Sequence, residues 1–340
     1  MRCPPPTRAA ESRRRLLVAL GLAALVLEAC SDGAPAIDAA VDLLADSIST
    51  ERSDWRRTDA TGVERCEPSA DLLKRIDPSR IKADLAFLTS LARSGGNQRK
   101  AADYLRTTLA KIPGLLVREH SYSYSGTSFV NLEATLPGGE AQDKYIVACA
   151  HYDSVSGSPG ADDNASGTAT VLEVARALIW CKPRRSIRLV FFSNEEISAG
   201  TIGSIEYVAW VKPTMPPANV VGVVNVDTVA YGPDTEDLDL VTKPAHKAFA
   251  DATKVAIEQS TSLKVKEVVG EQPGMGDEGA FWSEGYTALL AIEEHTGGQP
   301  PVKNPNYHTA GDTLATLNPA LHAQVTRAIL AAVTSFANGL

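Results

Sequence analysis

Apolar positions follow two rhythms along this chain. Residues 145–150, 187–192 and 220–226 are nearly continuous runs of Ile, Val, Leu, Phe and small residues, each of strand length. Elsewhere the apolar spacing lengthens to three and four. Val171, Leu172, Ala175 and Leu178 share one face of a helix predicted over 168–180. Ile81, Leu85 and Leu88 do the same after Asp77-Pro78, a good N-cap followed by a first helical proline. The pattern also predicts a helix over 98–112 stopped by Pro113, a strand over 128–136 ended by Pro137-Gly138, and helices over 244–259 and 318–338. Apolar strands separated by helices predict a parallel sheet covered on both faces. The length of 340 residues would allow two domains, but no internal repeat is visible and the motifs described next thread one unit.

Each of the three apolar runs leads into residues that bind cations. The first runs into His151-Tyr152-Asp153, the second into Asn194-Glu195-Glu196, and the third into Asp227. In open parallel sheets, sites form at the carboxyl ends of the strands, so these residues converge on one edge. Adjacent carboxylates such as Glu195 and Glu196 are ordinarily a solvated acidic loop. At the mouth of a buried strand they need something positive to hold them. The loop 159–167 places Asp162, Asp163 and Asn164 ahead of a predicted helix, where any of them could cap; an aspartate held there could instead bridge two cations. His308, in the late loop 307–313, is the remaining partner.

Two histidines and three carboxylates without a thiolate suit zinc, with manganese or cobalt as substitutes. Five ligands are too many for one tetrahedral catalytic zinc that keeps an open position, but they suit two ions sharing one aspartate. One glutamate of the pair is then left to handle a proton. The sequence carries no His-Glu-x-x-His helix, Gly-x-Ser-x-Gly elbow, phosphate loop, dinucleotide fingerprint or Cys-x-x-Cys pair.

His151-Tyr152-Asp153, the segment 160–167, Asn194-Glu195-Glu196, Asn225-Val226-Asp227 and His308-Thr309 together resemble the co-catalytic di-zinc aminopeptidases, family 28 of the metallopeptidases, from about Asp77 onward. The resemblance implies a three-layer α/β/α sandwich with a mixed, mainly parallel central sheet. It implies Asp163 as the bridging ligand, with His151 and Asp227 completing one zinc site and Glu196 and His308 the other. Glu195 would be the general base, taking a proton from a metal-bridging water and delivering it to the leaving amine. Asp153 would orient His151. Tyr307 is either a tyrosine that polarises the substrate carbonyl or a packed aromatic. Two segments depart from the family pattern. The stretch from Glu195 to Ser204 is longer than usual, and Glu278 stands where histidine is common.

The implied activity is removal of N-terminal residues from peptides. A single-zinc acyltransferase resembling the glutaminyl cyclases and a carboxypeptidase use the same scaffold, and a catalytically dead lipoprotein that keeps the scaffold for binding is the reading from another class. Ile197, Met275, Phe281 and Trp282 are either an apolar specificity pocket or core.

Composition adds a location. Arg13-Arg14-Arg15 precede an apolar run over 16–27 that is too short to span a bilayer, which reads as an export signal over 1–29. Leu27-Glu28-Ala29-Cys30 resembles a lipobox with Cys30 as a lipid anchor; the competing reading is ordinary cleavage to a periplasmic or secreted protein. Residues 30–70 read as a tether, an N-terminal extension or a pro-segment, and 71–340 as the catalytic domain. The whole chain carries a net charge of −8, and the part after residue 29 has 28 basic against 39 acidic side chains. No basic stripe points to nucleic acid, so the expected partner is a peptide substrate. Cys149 reads as core; Cys66 and Cys181 are able to pair in an oxidising compartment.

Overall fold

The computed structural model describes residues 66–339, apart from 198–199, 233–236, 271–275 and 297–301. The segment expected to be an export signal, Cys30 and Met275 therefore lie outside the described residues. The described residues belong to one compact unit.

In chain order the main elements are α1 (Pro78–Thr89), α2 (Arg99–Leu109), β1 (Leu116–Tyr124), β2 (Thr127–Leu136), β3 (Ala141–His151), α3 (Gly167–Leu178), β4 (Arg185–Phe192), α4 (Ile202–Val211), β5 (Val220–Val226), β6 (Asp237–Thr242), α5 (Lys247–Ser260), β7 (Lys264–Val269), α6 (Glu278–Ser283), β8 (Ala288–Ile292) and α7 (Pro319–Asn338). The strands form one mixed sheet in the order β1-β2-β4-β3-β5-β8-β6-β7. The central run β4-β3-β5-β8 is parallel, while β1, β2 and β6 enter through antiparallel pairings.

Alternation along the central strands divides the interior in two. Ile146, Ala148 and Ala150 of β3 face the larger core, which takes in Leu172 and Ala175 of α3 and Ile329 and Val333 of α7. Val147 and Cys149 face a second core with Phe192, Tyr207 of α4 and Phe281 of α6. Helices α3, α5 and α7 thus cover one face, and α4 and α6 the other. Strands with both faces buried need no polar alternation, which is why these runs read so clearly in the sequence.

The registers align the strand ends: His151 sits opposite Phe192, Cys149 opposite Asn225 and Val226 opposite Ala291. The carboxyl ends of β3, β4, β5 and β8 therefore meet at one edge. Pattern alone did not mark β1, β6, β7, β8, α4 or α6. Strands β1 and β7 lie at the sheet's edges and carry polar residues on their open sides, so they lack the apolar signature.

Cys66 and Cys181 are joined as a disulfide that ties the start of the described chain to the segment after α3, closing a loop of 115 residues. Such a link limits the freedom of the unfolded chain, and its loss typically costs about 2–5 kcal/mol. Replacing both cysteines by serine is expected to lower the urea midpoint by that order, read against the parent protein under oxidising conditions. An unchanged midpoint would contradict a stabilising bridge.

Candidate metal centre

The residues expected at the strand ends come together. His151 closes β3, and its carbonyl accepts the Thr168 hydroxyl at 2.7 Å. Asp227 follows β5 directly, and its N–H reaches the Ala291 carbonyl of β8. Glu195 and Glu196 lie in the loop after β4, behind Asn194 in the left-handed region at φ 56°. His308 also adopts a left-handed backbone, φ 59°, a strained choice for histidine that is commoner at functional sites.

The three candidates of the 159–167 loop have separate tasks. Asn164 takes the Gly167 N–H at 2.8 Å and gives its amide to the Val226 carbonyl at 2.9 Å, so it both caps α3 and ties the loop to β5. The start of α3 approaches β5 so closely that a Cβ on Gly167 would fall 2.2 Å from the Val226 carbonyl oxygen. Asp162 accepts the Ala230 N–H and the Asn304 amide, both at 2.9 Å. Asp163 alone turns toward the histidines.

Asp163 faces two donor groups at once. Its Oδ1 lies 3.4 Å from His151 Nε2, which lies 3.4 Å from Asp227 Oδ2. Its Oδ2 lies 3.1 Å from His308 Nε2, which is 3.1 Å from Glu196 Oε2. His151, Asp163 and Asp227 make one triad of donor atoms within 4.8 Å of one another, and Asp163, Glu196 and His308 make another. Zinc bonds of roughly 2.0–2.2 Å in a tetrahedron separate neighbouring donors by about 3.3–3.6 Å. The 3.4 Å spacings around His151 fit that figure and exceed ordinary hydrogen-bond lengths, whereas the 3.1 Å spacings around His308 are of hydrogen-bond length, so that triad's case rests on its donor types and unpaired atoms. Glu196 Oε1 and Asp227 Oδ1 are buried without any hydrogen bond. The donor chemistry and the unpaired atoms therefore suit a cation in each triad.

Electrostatics point the same way. Burial pushes Glu195 well above the usual carboxylate range, and Asp277, Glu196 and Asp227 add to the push. Burial and the Asp163 charge raise Glu196 to about 8. Burial alone would keep His151 neutral, yet Asp227, Asp153 and Asp163 outweigh it and hold its pKa well above the ordinary value. His308 is raised to about 10 against its own burial by Asp163 and Glu196. Negative charge is in excess here, and the imidazoles are drawn toward supplying the missing positive charge.

Asp153 does more than the sequence suggested. Its two carboxylate oxygens accept the consecutive backbone N–H groups of Glu195 and Glu196, each at 3.1 Å, while Oδ1 also lies 3.5 Å from His151 Nδ1. Gln98, which the sequence did not single out as functional, fixes the same loop: its amide donates to Asn194 Oδ1 at 2.7 Å and its oxygen takes the Asn194 N–H.

Residues 131–333 match peptidase family M28. The chain belongs to that family. It is 28% identical over 256 residues to leupeptin-inactivating enzyme 1 of Streptomyces exfoliatus, a match covering 71% of this chain but only 57% of that relative's length. Its fold resembles the Legionella pneumophila LapA aminopeptidase, with a TM-score of 0.68 and 21% identity over 79% of this chain and 73% of that one. It also resembles BSAP, a zinc aminopeptidase from Bacillus subtilis, with a TM-score of 0.55 and 25% identity over 63% and 52% of the two chains.

Beside the acids of this candidate centre runs a cleft whose other wall is Thr228, Leu290, Ile292 and Tyr307. The Tyr307 ring stacks on His308, centroids 3.8 Å apart, and packs against the Leu290–Ile292 cluster. Phe281 and Trp282 belong to the core instead, and the Trp282 indole N–H donates to the Ala288 carbonyl. Ile197 lies half-buried in the glutamate loop. Glu278, where the family commonly has histidine, accepts the Asn225 amide at 3.0 Å and the Gly276 N–H at 3.2 Å, so it steadies β5 two residues before Asp227.

Behind the Asp163 segment, fully buried His322 of α7 donates from Nε2 to the Ser166 carbonyl at 2.9 Å, with the Thr170 hydroxyl at 3.0 Å. Burial lowers its pKa from 6.5 to about 4. The unfolded chain therefore binds the extra proton between those two values. Stability tied to neutral His322 is complete above about pH 6.5 and is lost as pH falls toward 4, amounting to about 3 kcal/mol at most. His322→Gln should keep a donor for Ser166 while flattening this slope, as read from urea unfolding between pH 4 and 7. Parallel curves for parent and variant would exclude a buried neutral imidazole.

Proposed function

We propose that this chain is a two-zinc aminopeptidase that removes N-terminal residues, preferably apolar ones, from peptides. The observation that carries the reading is Asp163, shared between two histidine-carboxylate triads at the head of an apolar-walled cleft. Membership of M28 supports peptide hydrolysis, and zinc suits the mixed imidazole and carboxylate donors, with manganese or cobalt able to replace it. His151, Asp163 and Asp227 would hold one ion and Asp163, Glu196 and His308 the other. When bound, such ions polarise a carbonyl and lower the pKa of a water molecule.

Glu195 is the remaining carboxylate in reach of both His151 and Glu196. Its carboxylate takes a proton from the attacking water and passes it to the amine nitrogen as the peptide C–N bond breaks. Asp153 serves that step by gripping the Glu195 backbone and flanking His151. Leu290, Ile292 and Tyr307 receive the apolar side chain of the first residue. Two donor triads favour this reading over a single-zinc cyclase. Among the described residues lining the cleft none is basic, whereas a carboxypeptidase needs a cation for the terminal carboxylate. An export signal over 1–29, with Cys30 as a lipid anchor, would put the enzyme at the cell envelope, lipid-anchored or released.

Hydrolysis of leucine p-nitroanilide by the purified protein should stop with a chelator and return with zinc, with two zinc ions bound per chain. Glu195→Gln should retain both ions while turnover falls by about 10²–10⁴-fold. Undiminished turnover in that variant would exclude Glu195 as the base, and a metal-free active protein would overturn the whole reading.

A further inference from the structure

The segment that carries Asp163 is held from two sides by residues that do not themselves reach the proposed metals. On one side stands Arg93, fully buried, with its side chain bonded to backbone carbonyls. Its Nε donates to the Tyr152 carbonyl at 2.8 Å, Nη1 to those of Leu88 at 2.8 Å and Pro159 at 2.9 Å, and Nη2 to that of Gly160 at 2.7 Å. A buried guanidinium is costly to desolvate, and these four carbonyls with the surrounding acids offset that. The fit leaves no slack: Gly160 is left-handed at φ 61°, and a Cβ there would lie 2.6 Å from Arg93 Nη2 and 2.4 Å from the Asp163 carbonyl oxygen.

On the other side stands Asp312. Its Oδ1 accepts the Asp162 N–H at 2.8 Å, its Oδ2 the Asp163 N–H at 3.1 Å, and its own carbonyl the Ala161 N–H at 3.3 Å. Three consecutive donors thus end on one residue. Asp312 also closes the turn that presents His308, since its N–H donates to the Thr309 carbonyl. The shared aspartate and its histidine partner are therefore mounted on the same support.

We infer that Arg93 and Asp312 are positioning residues that clamp segment 159–163, setting where Asp163 stands between the two triads and so the affinity for both metals. The inference rests on the two-metal reading above. A lysine at 93 would keep the charge but not the planar fork that reaches several carbonyls. An asparagine at 312 would keep the shape but turn one acceptor into a donor facing a backbone N–H.

The test uses the purified protein and variants Asp312→Asn, Arg93→Lys and Glu173→Gln. Glu173 is a buried control away from the centre, bonded to Arg80, Arg176 and the Asp77 N–H. Three quantities are measured: zinc affinity by chelator competition, the d–d spectrum of the cobalt-loaded protein, and the melting temperature of the metal-free protein. The clamp predicts about 10–100-fold weaker binding of both ions and a shifted cobalt spectrum in the Asp312 and Arg93 variants. The Glu173 variant should lose melting temperature while keeping the affinity and spectrum of the parent. Parent-like affinity and spectrum in the clamp variants would overturn the inference, as would affinity losses in all three variants that simply follow melting temperature. A parent protein that binds no zinc would instead remove the two-metal reading on which the clamp depends.

Discussion

Carboxylates crowd one edge of this sheet, and the surrounding structure is arranged so that they can stand there. Asp153, Asp163, Asp227, Glu195 and Glu196 meet within a few ångströms of two imidazoles, largely out of water. Like charges so placed repel strongly in a low dielectric. Fixed dipoles offset part of this: Asp153 collects two backbone N–H groups, Asp312 three with its carbonyl, and Asp162 one more. Arg93 supplies a buried full charge beneath them. What remains unbalanced is concentrated at Asp163 and its neighbours, the place where the donor spacing suits cations.

The parallel core makes this convergence possible. Aligned carboxyl ends bring residues far apart in sequence, 151, 195–196 and 227, to one edge without any long loop having to deliver them. Glu195 and Glu196 follow β4 in a short loop that Asp153 and Gln98 hold, while Asp163 and His308 arrive on segments away from these strand ends and are supported by Asn164, Asp312 and the left-handed turn at His308. Sites on regular elements inherit precision from the sheet, whereas sites on loops need dedicated hydrogen bonds.

This division also explains what the sequence made legible. Continuous apolar runs ending in His, Glu or Asp announce both the strand and its terminal side chain, so β3, β4 and β5 and the candidate residues at their ends could be read directly, while β8 beside them was not. The choice of Asp163 over Asp162 came from family resemblance, because two adjacent aspartates before a helix look alike until Asn164 is seen to cap. Arg93, Gln98 and the grip of Asp312 left no trace in the pattern. They act on backbone groups, and a side chain bonded to a carbonyl or N–H creates no spacing rule or complementary partner residue. Edge strands β1 and β7 were lost for a related reason, since an open side relaxes the demand for apolar residues.

The cleft decides a choice that the sequence leaves open. Phe281 and Trp282 lie near motif segments in sequence and are large enough to build a pocket, but α6 turns them into the core between β5 and α4. The apolar wall instead comes from β8, whose parallel pairing beside β5 carries Leu290 and Ile292 to the same edge as Asp227. Acid from one strand and hydrocarbon from its neighbour thus line a single opening. An apolar side chain seated on β8 would therefore lie one strand away from the Asp227 carboxylate that follows β5. A substrate bound there by its side chain would have its backbone already beside the acids, and the sheet's strand order itself would then couple recognition to the proposed chemical site.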